Sequence, residues 1–488
     1  MNNKKKIIII VACIILLLIS FLLFICRVAF VGVTMDQISL FRTMTFQYEM
    51  DNYRKNKDNI SPFPKFARKF QPDKSLEDDL YPFCARYGTL NKDIVKNDEF
   101  RLKEYKEKYN ALKAKVSANL DEYTNELIPE VTEFLNKEKD FVFPSFREKQ
   151  KKDASQDIKD YRKLAEYWVM ISKLFEEKND YKSSLIMRYG IIYLLYDYER
   201  NYSNSLDPLD EYYLVEIACN SIMQWASEPK SQLIELSKNI SKDLIKLAAN
   251  DYKFSQYLES RKDRIFAILE HYSNMGREYR SKVKGLEKFK PFNMAMAFLY
   301  DEPMKYIDKP YLEIKDKLEI FKIEKEKSEK FYNEATKWGI FSPLFIAHPE
   351  RTAYDGFIDK YGFNVGYIKQ HNEHKLACLE FTAIALAINA YYSEFNKMPQ
   401  SLEELNKWLD YELPKNRFTN KDYEINKKNP ILYNPGVCPE YPIPEAFVDL
   451  FCYFKHDENE RQKTLERLRA KKKEIKFYYI PVKEFSKD

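Results

Sequence analysis

The sequence predicts a mainly α protein: an N-terminal transmembrane helix, a multi-helix domain containing a helical hairpin, and a small α+β subdomain at the C-terminus. Three observations lead there. Ile7 to Cys26 runs twenty residues without a charge, which at about 1.5 Å per residue matches a hydrocarbon core of about 30 Å. Beyond it, apolar and aromatic residues recur at three- and four-residue spacing over long stretches. Glycine is scarce, 10 of 488 residues, while Tyr and Phe number 37 and 34, a balance that suits long helices with aromatic cores.

The first segment is residues 1–6, with Lys4, Lys5 and Lys6 ahead of the span. Only Arg27 and Arg42 are basic in the stretch that follows, so the positive-inside rule keeps the N-terminus in the cytoplasm and the bulk outside. A cleaved signal peptide is the rival reading, but its apolar region is shorter and ends in small residues. Here Phe24, Ile25 and Cys26 stand in that place, which also argues against a lipid on Cys26. The span is assigned to residues 7–29, and 30–70 to an amphipathic stem and linker: Ile38, Phe41, Met44 and Tyr48 share a face until Pro62 and Pro64 end it.

Residues 71–375 read as the helical domain. Tyr105, Tyr109, Leu112, Val116, Leu120, Tyr123, Leu127, Val131 and Phe134 trace one face of a long helix, which Pro129 is expected to kink. The aromatic seam suits packing within the domain better than a coiled coil. Tyr161–Glu177 and Tyr181–Tyr202 form a hairpin turned at Lys178, Asn179 and Asp180, with Trp168, Ile171 and Phe175 facing Leu185, Tyr189 and Ile192. It resembles one tetratricopeptide unit, with Trp168, Asp180 and Tyr181 near the expected offsets, but no second copy follows at a 34-residue period. Further helices are expected at 209–227, 229–249, 253–275, 292–305 and 311–338, joined by turns such as Glu302-Pro303.

Residues 376–488 comprise an Ala-rich helix and the small α+β subdomain. The helix, 376–392, is apolar but short for a span and carries Glu380 and Asn389, so it reads as a buried core helix. Short strands are expected at Lys421–Ile425, Ile431–Tyr433, Phe451–Phe454 and Lys476–Val482. Between the last two lies a basic helical excursion around Arg467, Arg469, Lys471, Lys472 and Lys473, read as a solvated face.

Chemistry is sparse. His371, Glu373 and His374 spell H-x-E-H, whereas the zinc-protease spacing is H-E-x-x-H, so they read as structural or solvent-facing polar residues. His348, Pro349, Glu350, Asp355 and Lys360 are placed in a polar loop ahead of the Ala-rich helix, a setting that sometimes carries function. No Walker loop, G-x-S-x-G elbow or G-x-G-x-x-G occurs. Cys438 and Cys452 are the closest cysteine pair outside the span, and no CxxC spacing encodes a zinc site. Catalytic residues are left unassigned, and no metal, cofactor or nucleic-acid partner is inferred from a formal charge of +5.

One stretch resembles a known pattern. The Ala-rich helix, Tyr391, Met398-Pro399, Ser401-Leu402-Glu403-Glu404-Leu405, Leu413-Pro414 and Arg417-Phe418-Thr419 are similar to a "YPxSLxEL…LPxDPFTG" pattern. That pattern belongs to a loose class of membrane-anchored helical bacterial proteins best represented in planctomycetes, and a shorter form occurs in type II secretion pseudopilins. Asp180-Tyr181, Tyr213–Ala218 and Ile431–Gly436 are similar to colinear patterns of the same class. Departures are Lys397 for a usual Gly, Asn416-Arg417 for Asp-Pro, and no acidic cluster after Gly436, so no metal site is implied. The resemblance implies architecture without activity. The expected role is a scaffold or interaction module on the outer side of the bacterial inner membrane, meeting envelope partners. The alternatives are an envelope hydrolase with a site built from distant carboxylates and a secretion-system accessory using the pseudopilin-like region.

Overall fold

The computed structural model describes, with small gaps, residues 11–26, 40–48, 114–138, 158–202, 215–226, 231–249, 253–336, 351–358, 365–417 and a few positions on to 433. It is mainly helical, and the chain divides into two compact units. One is Met1–Asn56 with Lys253–Lys369, the other Lys57–Tyr252 with Gln370–Asp488.

In the second unit the Pro129 helix runs Leu120–Glu122, Tyr123–Leu127 and Ile128–Glu138, and the middle piece is a π turn. The Ile128 N–H bonds the Tyr123 carbonyl, five residues back. A proline lacks an N–H and its ring collides with the carbonyl four residues earlier in α register; the wider turn directly ahead of Pro129 accommodates both. A π turn thus stands where the sequence predicted a kink. The buried face is Leu120, Tyr123, Leu127, Val131 and Leu135, packed within the unit, with Phe134 only partly covered.

The hairpin is Ile158–Glu177 followed by Tyr181–Tyr202. Asn179 turns it with φ 62°, a left-handed conformation that Asn tolerates, and the Asp180 carboxylate accepts from the Ser183 N–H at 3.1 Å, capping the second helix. Trp168, Ile171, Phe175, Leu185, Tyr189 and Ile192 are all buried as their spacing predicts; complete burial of side chains this size contributes about 1.5–3 kcal/mol each. Gly190 lets the Pro129 helix and the hairpin approach: a Cβ there would lie 2.8 Å from Val131 Cγ1 and 3.2 Å from the Trp168 ring.

The longest described helix is Val365–Phe395, and every residue from Asn372 to Tyr392 is buried. From Ile368 it is long and apolar enough to cross a membrane, yet 94% of its apolar window is buried inside the protein. It is the core helix expected at 376–392, begun eleven residues earlier. Ser401 then caps Leu402–Leu409, its hydroxyl accepting from the Glu404 N–H at 3.2 Å, and Leu402, Leu405 and Leu409 pack inward. Of the expected C-terminal strands, a two-residue antiparallel pair is described, Glu424–Ile425 with Leu432–Tyr433. This does not amount to a subdomain, and the strands at 451–454 and 476–482 and the basic excursion lie outside the described residues.

The first unit contains Phe254–Asn274, Arg277–Glu287, Lys290–Met296 and Tyr311–Thr336. Arg277–Glu287 escaped the sequence reading because its apolar content is slight; among its described side chains the buried hydrophobic ones are Val283 and Leu286. Pro303, expected to mark a turn, instead lies inside a helical stretch. A second π turn, Ala297–Asp301, precedes it, with the Glu302 N–H bonded to the Ala297 carbonyl. The stem is represented by Met44, 2% exposed, and Tyr48, whose ring meets His271 edge-on at 5.4 Å. The apolar helix Ile14–Cys26 is different in kind: Leu16, Leu17 and Leu22 are 63–69% exposed.

Candidate functional site

The buried polar residues concentrate on the N-terminal half of the central helix. Lys369, Gln370, Asn372, Glu373, His374, Lys375 and Glu380 are each at most 8% exposed. Burying so many polar groups is costly without partners. Glu373 and Glu380 are seven residues apart, two helical turns, and therefore share a face.

Arg417 serves both. Its Nε donates to Glu380 Oε1 at 2.9 Å, NH2 lies 2.7 Å from the same oxygen, and NH1 donates to Glu373 Oε2 at 3.4 Å. NH2 also donates to the Ala248 carbonyl at 3.2 Å, tying in the end of the helix Ile234–Ala249. Arg417 is delivered by the extended run after Leu409, which the left-handed Asp410 redirects. Two carboxylates thus share one guanidinium inside the protein.

Burial pushes the Glu380 carboxyl up to about 6, outweighing the Arg417 guanidinium, which pulls it down; Glu373 pushes it up further. Arg417 is itself held above its ordinary value, because the two carboxylates outweigh its burial. Glu380 Oε2, Gln370 Nε2 and Asn372 Oδ1 are buried with no hydrogen-bond partner among the described residues. A proton on Glu380 would remove one of the two negative charges that face Arg417.

Around this cluster the helix is stitched to its neighbours through backbone carbonyls. Ser241 donates to the Ala383 carbonyl at 2.7 Å and accepts from Tyr411 at 2.8 Å. Asn389 donates to the Ala226 carbonyl at 2.8 Å. Lys375 Nζ lies 5.9 Å from the centre of the Tyr196 ring.

Two other charged clusters are structural knots. Arg188, fully buried, donates to Ser172 at 2.9 Å and to the Ser221 carbonyl, and its NH2 is 2.9 Å from Glu176, so it joins three helices. Burial pulls its guanidinium below the ordinary value, against the attraction of Glu176. In the first unit Asp355 is fully buried, with its Oδ2 2.7 Å from Arg351 Nε; burial raises its carboxyl against the pull of Ser328 and Arg351.

These positions revise the sequence reading. Glu373 and His374 lie buried inside a helix, which excludes the solvent-facing alternative; the His371 side chain lies outside the described residues. Asp355 belongs to a helical turn at 354–358 rather than a loop, because Phe357 and Ile358 bury the other side of that turn. His348, Pro349, Glu350, Lys360, Cys438 and Cys452 lie outside the described residues. Cys219 and Cys378 are buried and form no disulfide among the described residues. Among the described residues no group of three His, Cys, Asp or Glu side chains is placed to hold a metal ion. The sequence reading missed the Glu380–Arg417 pairing; the available signals were the seven-residue spacing of Glu373 and Glu380 and an Arg standing where the resembled pattern has Asp-Pro. Comparison of the chain with family models, curated proteins and solved structures gave no match.

Proposed function

We propose that this chain is a membrane-anchored interaction module whose helical bulk lies outside the cytoplasm, at a bacterial inner membrane, and engages other envelope proteins. The observation that carries the reading is the contrast between two apolar helices. Ile368–Phe395 is enclosed by protein. On Ile14–Cys26, Leu16, Leu17, Phe21 and Leu22 expose 61–69% of their surface, an apolar area too large to leave in water. Lys4–Lys6 ahead of it set the orientation.

The tetratricopeptide likeness of the hairpin and an α+β character for residues beyond Ile425 belong to the same proposal. The charge cluster supports an interaction role over chemistry at that point: Glu373 and Glu380 are held by Arg417 inside the unit, whereas an acid or base must reach the proton it moves.

Protease protection on sealed, right-side-out membranes, with a C-terminal tag and alkaline carbonate extraction in parallel, tests the reading. The expected result is a carbonate-resistant protein whose tag is removed by external protease. A tag lost only on lysis reverses the orientation, and release by carbonate removes the anchor.

A further inference from the structure

The helix Tyr311–Thr336 carries two faces. Its inner face, Ile314, Leu318, Phe321, Ser328 and Tyr332, is buried, and with the partly buried Lys325 it follows alternating four- and three-residue steps. On the opposite side, at about 100° per residue, Glu313, Asp316, Ile320, Ile323, Lys327 and Lys330 form a second stripe with the same spacing. All six are exposed; Ile320 is 62% and Ile323 40% exposed. Phe331, 37% exposed, flanks the stripe.

The stripe reads acid, acid, apolar, apolar, base, base, so that it is complementary to itself when reversed. We propose that this face is a self-association surface, on which a second copy of the chain packs antiparallel about a two-fold axis between Phe321 and Lys322. That register sets Ile320 against Ile323 of the second copy, Asp316 against its Lys327, and Glu313 against its Lys330. Every layer is complementary and occurs twice, as an isologous interface requires. Antiparallel seams pair the two kinds of core position with one another, which is the pairing this spacing produces. A parallel pair would instead oppose Asp316 to Asp316 and Lys327 to Lys327, so the charges select orientation as well as partner. Within its own helix Lys327 Nζ is 2.7 Å from Glu324; that exposed pair, three residues apart, is weak and leaves two ammonium protons for the second copy.

The surface is small, so association is weak in solution and strengthens when a membrane confines both copies. Only that last gain depends on the proposed anchoring. The test is therefore run on the full chain in detergent, by sedimentation velocity up to the highest soluble concentration. Wild type is expected to dimerise reversibly. Asp316→Lys and Lys327→Asp alone should each weaken dimerisation about tenfold, since two symmetry-related attractions become repulsions. An equimolar mixture of the two variants should form the heterodimer, and the double variant should regain the homodimer. A monomeric wild type, a dimer indifferent to both reversals, or a double variant that stays monomeric would each overturn the proposal. Circular dichroism on each variant checks that these exposed substitutions leave the helices intact.

Discussion

Replacing Glu380 by Gln should stabilise the second unit at neutral pH and do nothing at acidic pH. Holding the Glu380 carboxyl at about 6 instead of 4.5 costs the ionised folded state about 2 kcal/mol. A raised folded pKa means that the folded chain binds the proton more tightly than the unfolded one. The associated stability is fully present below about 4.5 and is lost as pH rises through about 6. Gln keeps the neutral shape at every pH. Wild type should therefore lose about 2 kcal/mol between pH 4.5 and 7 from this site, and Glu380→Gln should lose none of it. Urea unfolding followed by tryptophan fluorescence suits the measurement, because Trp168, Trp225 and Trp408, three of the four tryptophans, belong to this unit. Arg417→Met is the opposing control. It strands two buried carboxylates and should cost about 3–5 kcal/mol at pH 7, with a smaller loss at pH 4.5, where protons replace the missing charge. A Glu380→Gln variant less stable than wild type at pH 7.5, or one keeping the full pH slope, would refute the reasoning. The Arg417 pairing would then outweigh the cost of burying Glu380.

Gly190→Ala should destabilise the same unit by about 1–3 kcal/mol, as overpacking does, because the new methyl meets Val131 at 2.8 Å and a Trp168 ring locked in the core; a Val131→Ala partner should recover part of the loss in the urea midpoint. Ser401→Ala removes the cap of Leu402–Leu409 and should cost about 1 kcal/mol, read as faster hydrogen exchange at Glu403–Leu405, whereas Ser401→Asp should keep protection.

The helices were legible wherever burial follows a period. In the hairpin, Trp168, Ile171 and Phe175 on one arm and Leu185, Tyr189 and Ile192 on the other are buried as read. Arg277–Glu287 was not legible, since a helix with so few apolar residues leaves little pattern. The central helix hid its polar half for the opposite reason. Lys369 to Lys375 look like a solvated run in sequence, and only the enclosing structure shows that those described, His371 aside, are buried. Arg188 and Arg417 were invisible for a third reason: their partners Glu176, Ser172, Glu373 and Glu380 lie 12 to 44 residues away or bond through the backbone, and pairing across such separations leaves no local periodicity.

The Pro129 helix shows how one proline changes which residues reach the core. Four α-turns take about 14.4 residues, so a pure α-helix that buries Leu120 brings Phe134 back to the same face. A π turn inserts one residue and moves that return to Leu135, which is 6% exposed while Phe134 is only partly covered. The same device precedes Pro303, again with the π segment ending two residues before the proline. Both prolines looked like interruptions in the sequence. The backbone instead passes through each of them by widening the turn before it, and beyond Pro129 the buried side chains change face by one position. At Pro129, then, the proline marks a change of phase, and burial beyond it has to be counted from the proline rather than from the start of the helix.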